Sequence, residues 1–134
     1  MAKRRGSRKL ALDVLYESEI SGIPSTDILA RYAGNPAYEY AALLVSGVEE
    51  NKERIDEIIT ENAKDWALDR MPPIDLNLLR ISIFELLFCS DIPPAVAMNE
   101  AVELAGIYST DDSGRFINGV LAEIDRQSGK DRAV

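Results

Sequence analysis

The fold is decided by residues 92–121, which read IPPAVAMNEAVELAGIYSTDDSGRFINGVL. Pro93 and Pro94 suit the first turn of a helix, where a missing N–H costs nothing. Apolar residues then recur at steps of three and four, which predicts one buried stripe. The stripe comprises Met98, Ala101, Val102, Ala105 and Tyr108. Ser109 and Thr110 can cap a second helix, whose positive end carries two aspartates. The stretch therefore predicts two helices joined by a short polar turn.

The second of these helices has one apolar face with an aromatic residue at its border. The face comprises Phe116, Ile117, Val120, Leu121 and Ile124. Phe116 lies beside Arg115, and an aromatic ring next to an arginine can stack on an unpaired base. The other interpretation is that Phe116 only closes the hydrophobic core, and geometry alone favours it.

The rest of the chain also has helical periodicity, and no strand pattern competes with it. Helices are predicted over residues 7–20, 26–33, 37–50, 51–62 and 74–90. Ser25 is predicted to cap the second of them. The last is apolar on every side, so other helices must surround it. Its charged residues Asp75, Arg80 and Glu85 should therefore pair or mark a contact surface, with pairing favoured. The sequence predicts an all-α domain of about seven helices.

The prolines between Trp66 and Pro73 interrupt the helical pattern and divide the chain. We predict one domain over residues 1–134 with two packed helical bundles. The first bundle is predicted over about residues 7–65 and the second over about 66–128. Residues 1–6 are predicted to form a flexible basic arm.

The composition argues against an enzyme. The chain has no histidine, and its single cysteine, Cys89, excludes an internal disulfide. The sequence contains no nucleophile–base pair, glycine-rich phosphate loop or cysteine cluster. Its carboxylates could serve an acid/base enzyme or bind a divalent metal, but nothing in their spacing selects such a site over an acidic surface. We therefore predict no catalytic residue, no metal and no cofactor. Without an apolar segment long enough to span a membrane, or a signal peptide, the predicted location is the cytoplasm.

The charge of the chain is distributed unevenly. The net charge is −8, yet residues 1–9 carry five cations and no acid, while the remainder holds ten basic and 23 acidic residues. This asymmetry favours a basic arm that binds phosphates on a body that repels them. If the first helix extends far enough back, Arg5, Lys9 and Tyr16 share a face that could grip a backbone and stack a base. The alternative is an ordinary solubilising N-terminus.

Three segments resemble one known family in the same order. The C-terminal stretch quoted above closely resembles the signature of the bacterial NusB transcription antitermination factors. The other matching residues are Arg4-Arg5, Arg8-Lys9, Ala11-Leu12, Leu15-Tyr16, Asp75, Leu79-Arg80 and Glu85-Leu86. Gly6-Ser7 and Lys9 depart from the commoner family pattern. The resemblance covers nearly the whole chain and implies the same two-bundle architecture.

The resemblance implies an RNA-binding adaptor. NusB-like proteins pair with the ribosomal protein NusE, bind single-stranded boxA RNA and join the RNA polymerase antitermination complex on ribosomal RNA operons. The implied RNA-binding residues are Arg4, Arg5, Arg8, Lys9, Asp112, Arg115, Phe116 and Asn118. Tyr16 is a further candidate from its place on the basic face of the first helix, although a lone tyrosine there is more often part of the core. Asp75 and Glu85 are implied contacts to the basic partner. The alternative function is a helical protein-interaction module whose basic arm serves homodimerisation.

Overall fold

The computed structural model describes residues 3–63 and 66–132. Over these residues the regular secondary structure consists of helices joined by turns and loops. The seven α-helices are α1 (Lys3–Ser21), α2 (Ser25–Ala30), α3 (Tyr38–Glu50), α4 (Lys52–Asn62), α5 (Pro73–Phe88), α6 (Pro94–Tyr108) and α7 (Asp111–Arg132). A 3-10 turn, Leu68–Arg70, connects α4 to α5. The predicted all-α fold is confirmed. No helix in the described ranges is long and apolar enough to cross a membrane.

Helix α5 is the central element of the fold. Every residue from Asp75 to Leu86 is buried, as expected for a helix that is apolar on all sides. It packs against α1, α3, α4, α6 and α7, so it joins both halves of the molecule rather than only the second. One continuous core includes residues from all seven helices. The predicted boundary between the bundles lies between residues 65 and 66, directly after residues 64 and 65, which are outside the described residues.

Close contact between α3 and α5 depends on a glycine. At Gly47 the ring of Phe84 occupies the space that a β-carbon would need. Any side chain there would collide with this ring and force the two helices apart. Phe84 in turn stacks on Phe88, with ring centroids 5.7 Å apart. Gly47 therefore sets the distance between α3 and α5.

Three local expectations need correction. Helix α1 begins at Lys3, so residues 3–6 of the predicted flexible arm are helical, while residues 1 and 2 lie outside the described residues. Pro24 precedes α2 as its N-cap, and the Ser25 hydroxyl instead donates a 2.6 Å hydrogen bond to Glu49 of α3. Tyr108 was predicted to be buried, but 41% of it is exposed because it is the last residue of α6.

The junction between α6 and α7 follows the predicted chemistry. Pro94 is the first residue of α6, where its missing N–H is tolerated. The Thr110 hydroxyl accepts a 3.0 Å hydrogen bond from the backbone N–H of Ser113, which caps the start of α7. The Ser109 hydroxyl does not share this role, since it donates to Asp75 of α5. The turn is therefore tied to the central helix.

Candidate nucleic-acid interface

Helix α1 divides its cations between an inner and an outer face. The side chain of Arg8 is 5% exposed, whereas that of Arg5, one turn earlier, is 45% exposed. Lys9 lies at the edge of the outer face. Helical geometry explains the difference, because Arg8 shares a face with the buried residues Ala11 and Leu15. Only part of the basic segment can therefore meet a ligand.

Arg8 is held in a buried cluster that joins four helices. Its Nε donates hydrogen bonds to the two carboxylate oxygens of Glu85 on α5, at 2.9 and 3.1 Å. Its Nη1 lies 3.4 Å from Glu100 Oε1 on α6. The Tyr40 hydroxyl of α3 donates to the same Glu85 carboxylate. The cluster therefore ties α1, α3, α5 and α6 together at one point.

The charges in this cluster balance each other. Burial is the largest single influence on the pKa of Arg8 and would lower it, but the hydrogen bond and charge of Glu85, together with the neighbouring Glu100 and Tyr40, raise it overall. Burial raises the pKa of Tyr40 most strongly, and the hydrogen bond to Glu85 raises it further. Arg8 thus stays cationic and Tyr40 stays neutral. The cluster is a charge-compensated part of the core.

This burial changes how three of the expected site residues are interpreted. Arg8 cannot touch RNA, and Glu85, which is 1% exposed, cannot touch a partner while the cluster is intact. Asp75 is 4% exposed and accepts 2.7 Å hydrogen bonds from the hydroxyls of Ser109 and Ser113. The structure thus places Asp75 and Glu85 inside the helix bundle rather than on its surface. Pairing, the favoured interpretation of the α5 charges, is what the structure shows for Glu85.

Arg80, on another side of α5, is likewise a buried arginine that pairs with carboxylates of other helices. Its guanidinium donates to both carboxylate oxygens of Asp56 on α4, at 2.9 and 3.1 Å, and to Glu19 on α1 at 2.8 Å. These carboxylates raise the pKa of Arg80 against the effect of burial, which alone would lower it. Arg80 therefore connects α1, α4 and α5.

The exposed cation Arg5 faces α6. Arg5 makes a two-pronged contact with Glu100, with Nε and Nη2 at 3.0 and 2.7 Å from its carboxylate oxygens. These hydrogen bonds lower the pKa of Glu100, while burial opposes the shift. The Nη2 of Arg5 also lies 4.0 Å from Glu103. Arg5 is therefore positioned along the outer edge of α6.

Lys9 connects α1 to the end of α6. Its ammonium lies 4.6 Å from the ring centroid of Tyr108, within the range of a cation–π contact, and it also pairs with Asp13. We call the surface formed by Arg5, Lys9 and Tyr108 the arm surface. Tyr16 is 39% exposed and lies two turns after Lys9 on the same face of α1. Tyr108 is a candidate RNA contact that the sequence analysis did not identify, because its spacing assigned it to the buried stripe of α6. The one feature of the sequence that could have indicated its exposure is its position directly before the turn at Ser109.

Arg4 lies on a different side of α1. Its guanidinium lies 4.4 Å from the ring centroid of Tyr40, and its Nη2 is 3.8 Å from Asp91. Arg4 also lines a shallow cavity together with Tyr40 and Leu43. The structure therefore does not bring Arg4 onto the arm surface.

A groove between α6 and α7 lies next to the arm surface. It has a volume of about 550 Å³, and its walls include Asn99, Glu103 and Gly106 from α6 and Gly114, Arg115 and Asn118 from α7. We call it the α6–α7 groove. Glu103 belongs both to this groove and to the environment of Arg5. The basic segment and the start of α7 are thus neighbours, separated only by the ridge of α6.

Phe116 points to another side of α7. Its ring lies 6.0 Å from that of Trp66, and both line an apolar cavity of about 290 Å³ with Met71 and Asp112. Asp112 is exposed and forms an ion pair with Arg115. Phe116 packs against the core at its border, in agreement with the favoured interpretation. Of the residues expected on α7, the structure brings only Arg115 and Asn118 into the α6–α7 groove.

Comparison with known proteins identifies the family. The NusB family model matches residues 5–126 of the chain. The chain belongs to the NusB family. The transcription antitermination protein NusB of Saccharopolyspora erythraea is 48% identical, covering 92% of this chain and 87% of the relative. NusB of Salinispora tropica is 49% identical over 92% of this chain and 96% of its own length. The chain therefore belongs to the same family as these two transcription antitermination proteins.

A solved structure gives the same architecture. The chain is similar, at 30% identity and a TM-score of 0.85, to a crystal structure described as the antitermination factors NusB and NusE in complex with dsRNA. The similarity covers 95% of this chain and 98% of the other. The all-helical NusB-like fold is thereby confirmed over the described residues. All the candidate site residues except Arg4 lie within the range that the NusB family model matches.

Proposed function

We propose that the protein is an RNA-binding antitermination factor that acts with NusE on the single-stranded boxA element of ribosomal RNA transcripts. One observation carries this proposal: Arg5 and Lys9 of α1 share one surface with the α6–α7 junction, with Lys9 Nζ 4.6 Å from the ring centroid of Tyr108. A basic surface with an exposed aromatic ring is the combination that single-stranded RNA requires. Within the antitermination complex, this surface would hold the nascent transcript near RNA polymerase.

Electrostatics favour RNA binding at this surface alone. The ten basic and 23 acidic residues that follow residue 9 make the body of the protein repel phosphates. Arg5 is exposed and Lys9 partly exposed on the N-terminal segment, which carries five cations and no acid. Phosphates would compete with Glu100 and Asp13 for these cations, and each replacement would release bound counterions. The binding should therefore weaken steeply as salt concentration rises.

The residues of the site have distinct proposed roles. Arg5 and Lys9 bind phosphates and supply affinity, while Tyr108 and Tyr16 offer rings on which bases stack. Asn118, exposed at the groove, presents an amide that can pair with a base edge. Arg8 acts indirectly, because its buried contacts with Glu85 fix the orientation of α1. Phe116 supports α7 from its other side through Trp66.

The proposed protein partner is NusE, the antitermination factor named together with NusB in the similar complex. A basic ribosomal protein complements the acidic body of this chain. Because Asp75 and Glu85 are buried, we assign the partner contact to exposed carboxylates of the second bundle rather than to these two residues. In this role the protein delivers both RNA and NusE to the transcription complex.

The proposal can be tested through the salt dependence of RNA binding. Fluorescence anisotropy of a labelled single-stranded boxA RNA, with NusE present throughout, would compare wild type with the double variant Arg5→Ala, Lys9→Ala. Removing two phosphate contacts should lower the slope of log affinity against log salt by about 1.4, or about 0.7 for each contact. The variant should also bind more weakly at every salt concentration.

The matched control is Lys52→Ala, Arg54→Ala, which removes the same charge from α4. Arg54 is exposed and pairs only along its own helix with Glu57 among the contacts described, so the fold should tolerate its loss. This control should keep the wild-type slope. Equal slopes for both double variants would contradict the proposed role of the arm surface. A dimer by light scattering that persists with RNA and NusE would favour the homodimerisation module instead.

A further inference from the structure

The α6–α7 groove contains one residue that the fold does not explain. Gly106 is exposed in the last turn of α6, and a β-carbon added there would meet nothing within 4 Å. Gly22 is the only glycine with a positive φ in the described part of the chain, so Gly106 has a backbone that any residue can adopt. A glycine inside a helix weakens it relative to alanine. Neither packing nor backbone conformation therefore requires a glycine at position 106.

Gly114, on the opposite wall, provides a contrast. A β-carbon there would lie 3.6 Å from Val102 Cγ1 and 3.8 Å from the Val102 carbonyl oxygen, which is ordinary packing contact between α6 and α7. Gly114 is buried at the contact between these helices, whereas Gly106 is exposed at the mouth of the groove. The small size of Gly106 leaves open space, and this space faces the groove.

We infer that the α6–α7 groove holds one unpaired nucleobase of the bound RNA, and that Gly106 keeps the groove open for it. This inference rests on the proposed function and adds a base-binding site to it. Cations lie on both sides of the groove, since Arg5 contacts Glu103 on the α6 wall and Arg115 lines the α7 wall. A strand whose phosphates contact these cations would place the intervening base over Gly106.

The chemistry of the groove suits a base rather than a phosphate. Glu103 would repel a phosphate, but its carboxylate accepts hydrogen bonds from exocyclic amino groups and ribose hydroxyls. Asn99 and Asn118 face the groove from opposite walls, and each side-chain amide provides both a donor and an acceptor for a base edge. The groove therefore offers hydrogen-bonding groups without a net positive charge at its centre.

The test is to fill the groove without disturbing the fold. Gly106→Leu places a side chain in the open space, while Gly119→Leu is the matched control. Gly119 is also exposed and helical, with nothing within 4 Å of an added β-carbon. It lines another cavity together with Trp66 and Phe116, and Arg115 is the one residue that this cavity shares with the α6–α7 groove. Both substitutions should keep or raise the melting temperature, because leucine is the better helix former.

The readout is anisotropy with a set of boxA RNAs, each of which lacks the base at one position. For wild type, one such RNA should bind about tenfold more weakly than intact RNA, which is the effect expected when one base loses its contacts. Gly106→Leu should bind intact RNA about tenfold more weakly than wild type does. For this variant, removal of the same base should cause no further loss of affinity. Gly119→Leu should keep the position-specific penalty of wild type, because it leaves the space beside Gly106 open.

The outcomes separate this inference from the proposed function. If Gly106→Leu keeps both the affinity and the position-specific penalty of wild type, the groove holds no base and the inference is wrong. The salt slope of the Arg5, Lys9 variant would in that case still report on the arm surface. If wild type binds none of the RNAs in the presence of NusE, the proposed function fails and the inference fails with it.

Discussion

Arg5 and Arg8 lie one helical turn apart on α1, but their surroundings differ in almost every respect. Arg8 is enclosed by Glu85, Glu100 and Tyr40, while Arg5 lies along the surface of α6 and shares only Glu100 with that cluster. The same residue type thus serves the core at one position and the surface at the other. The comparison teaches that the charge of the N-terminal segment overstates the charge available to RNA.

The comparison predicts its largest effect at Arg8. Arg8→Ala leaves the Glu85 carboxylate buried without its cation, so the free energy of unfolding should fall by about 3–5 kcal/mol. Chemical denaturation at neutral pH measures this change. The double variant Arg8→Met, Glu85→Gln should recover part of the loss, because neither residue then leaves a stranded charge. If Arg8→Ala were as stable as wild type, the buried cluster would not join the helices as described.

The next effect is expected at Tyr40. Tyr40→Phe removes a hydrogen bond to a buried carboxylate and should cost about 1.5–3 kcal/mol at neutral pH. Because the folded state raises the pKa of Tyr40, wild-type stability is fully present below the usual tyrosine pKa of about 10 and falls as pH rises above it. Tyr40→Phe should lose less stability over this alkaline range. Parallel alkaline losses in both proteins would show that Tyr40 titrates normally.

The smallest change in stability is expected at Arg5. Arg5→Ala removes an exposed ion pair, and such pairs contribute little because solvent screens them. Its unfolding transition should therefore stay close to that of wild type in the same denaturation experiment. A loss as large as that of Arg8→Ala would mean that the two arginines do not differ as proposed.

A pH titration sharpens the same comparison. The pKa of Glu100 is lowered chiefly by its hydrogen bonds with Arg5, so its stabilising contribution is present above the usual glutamate pKa and is lost as pH falls through the lowered value. Arg5→Ala should make the stability less sensitive to acid over this range, and Glu100→Gln should do the same. The measurement is the melting temperature of wild type and of both variants, from neutral pH down to values below the usual glutamate pKa. An unchanged acid dependence in both variants would contradict the pairing of Arg5 with Glu100.

The fold could be predicted from the sequence wherever a pattern was local. The start of α6 at Pro94 and the cap at Thr110 follow from backbone chemistry, and α5 was recognised as a central helix from its apolar residues alone. The first turn of α1 was not predicted, because Arg4 and Arg5 in this turn pair with Asp91 and Glu100, which are distant in the sequence. Long-range ion pairs of this kind leave no periodic signal.

The site was predicted less completely, and Arg8 shows why. Arg8 lies three positions before Ala11 and seven before Leu15, so helical spacing puts it on the same face as these buried residues. Arginines are rarely buried, however, and Arg8 was therefore expected among the exposed RNA-binding cations. This expectation was wrong because Glu85, 77 positions away, compensates the charge. Tyr108 was missed for the opposite reason, since its spacing fits the stripe but the helix ends there. The α6–α7 groove depends on how two helices pack, which periodicity along one helix does not report.

The central claim is that α1 and the α6–α7 junction form one RNA surface. The most direct test is a ¹H–¹⁵N NMR titration of the protein with boxA RNA, with NusE present in unlabelled form. The account predicts that adding RNA to the NusE complex shifts the amide signals of Arg5, Lys9, Tyr108 and Arg115 together at the same RNA concentrations, while those of α4 stay in place. Shifts confined to α4, or to only one of the two segments, would contradict it.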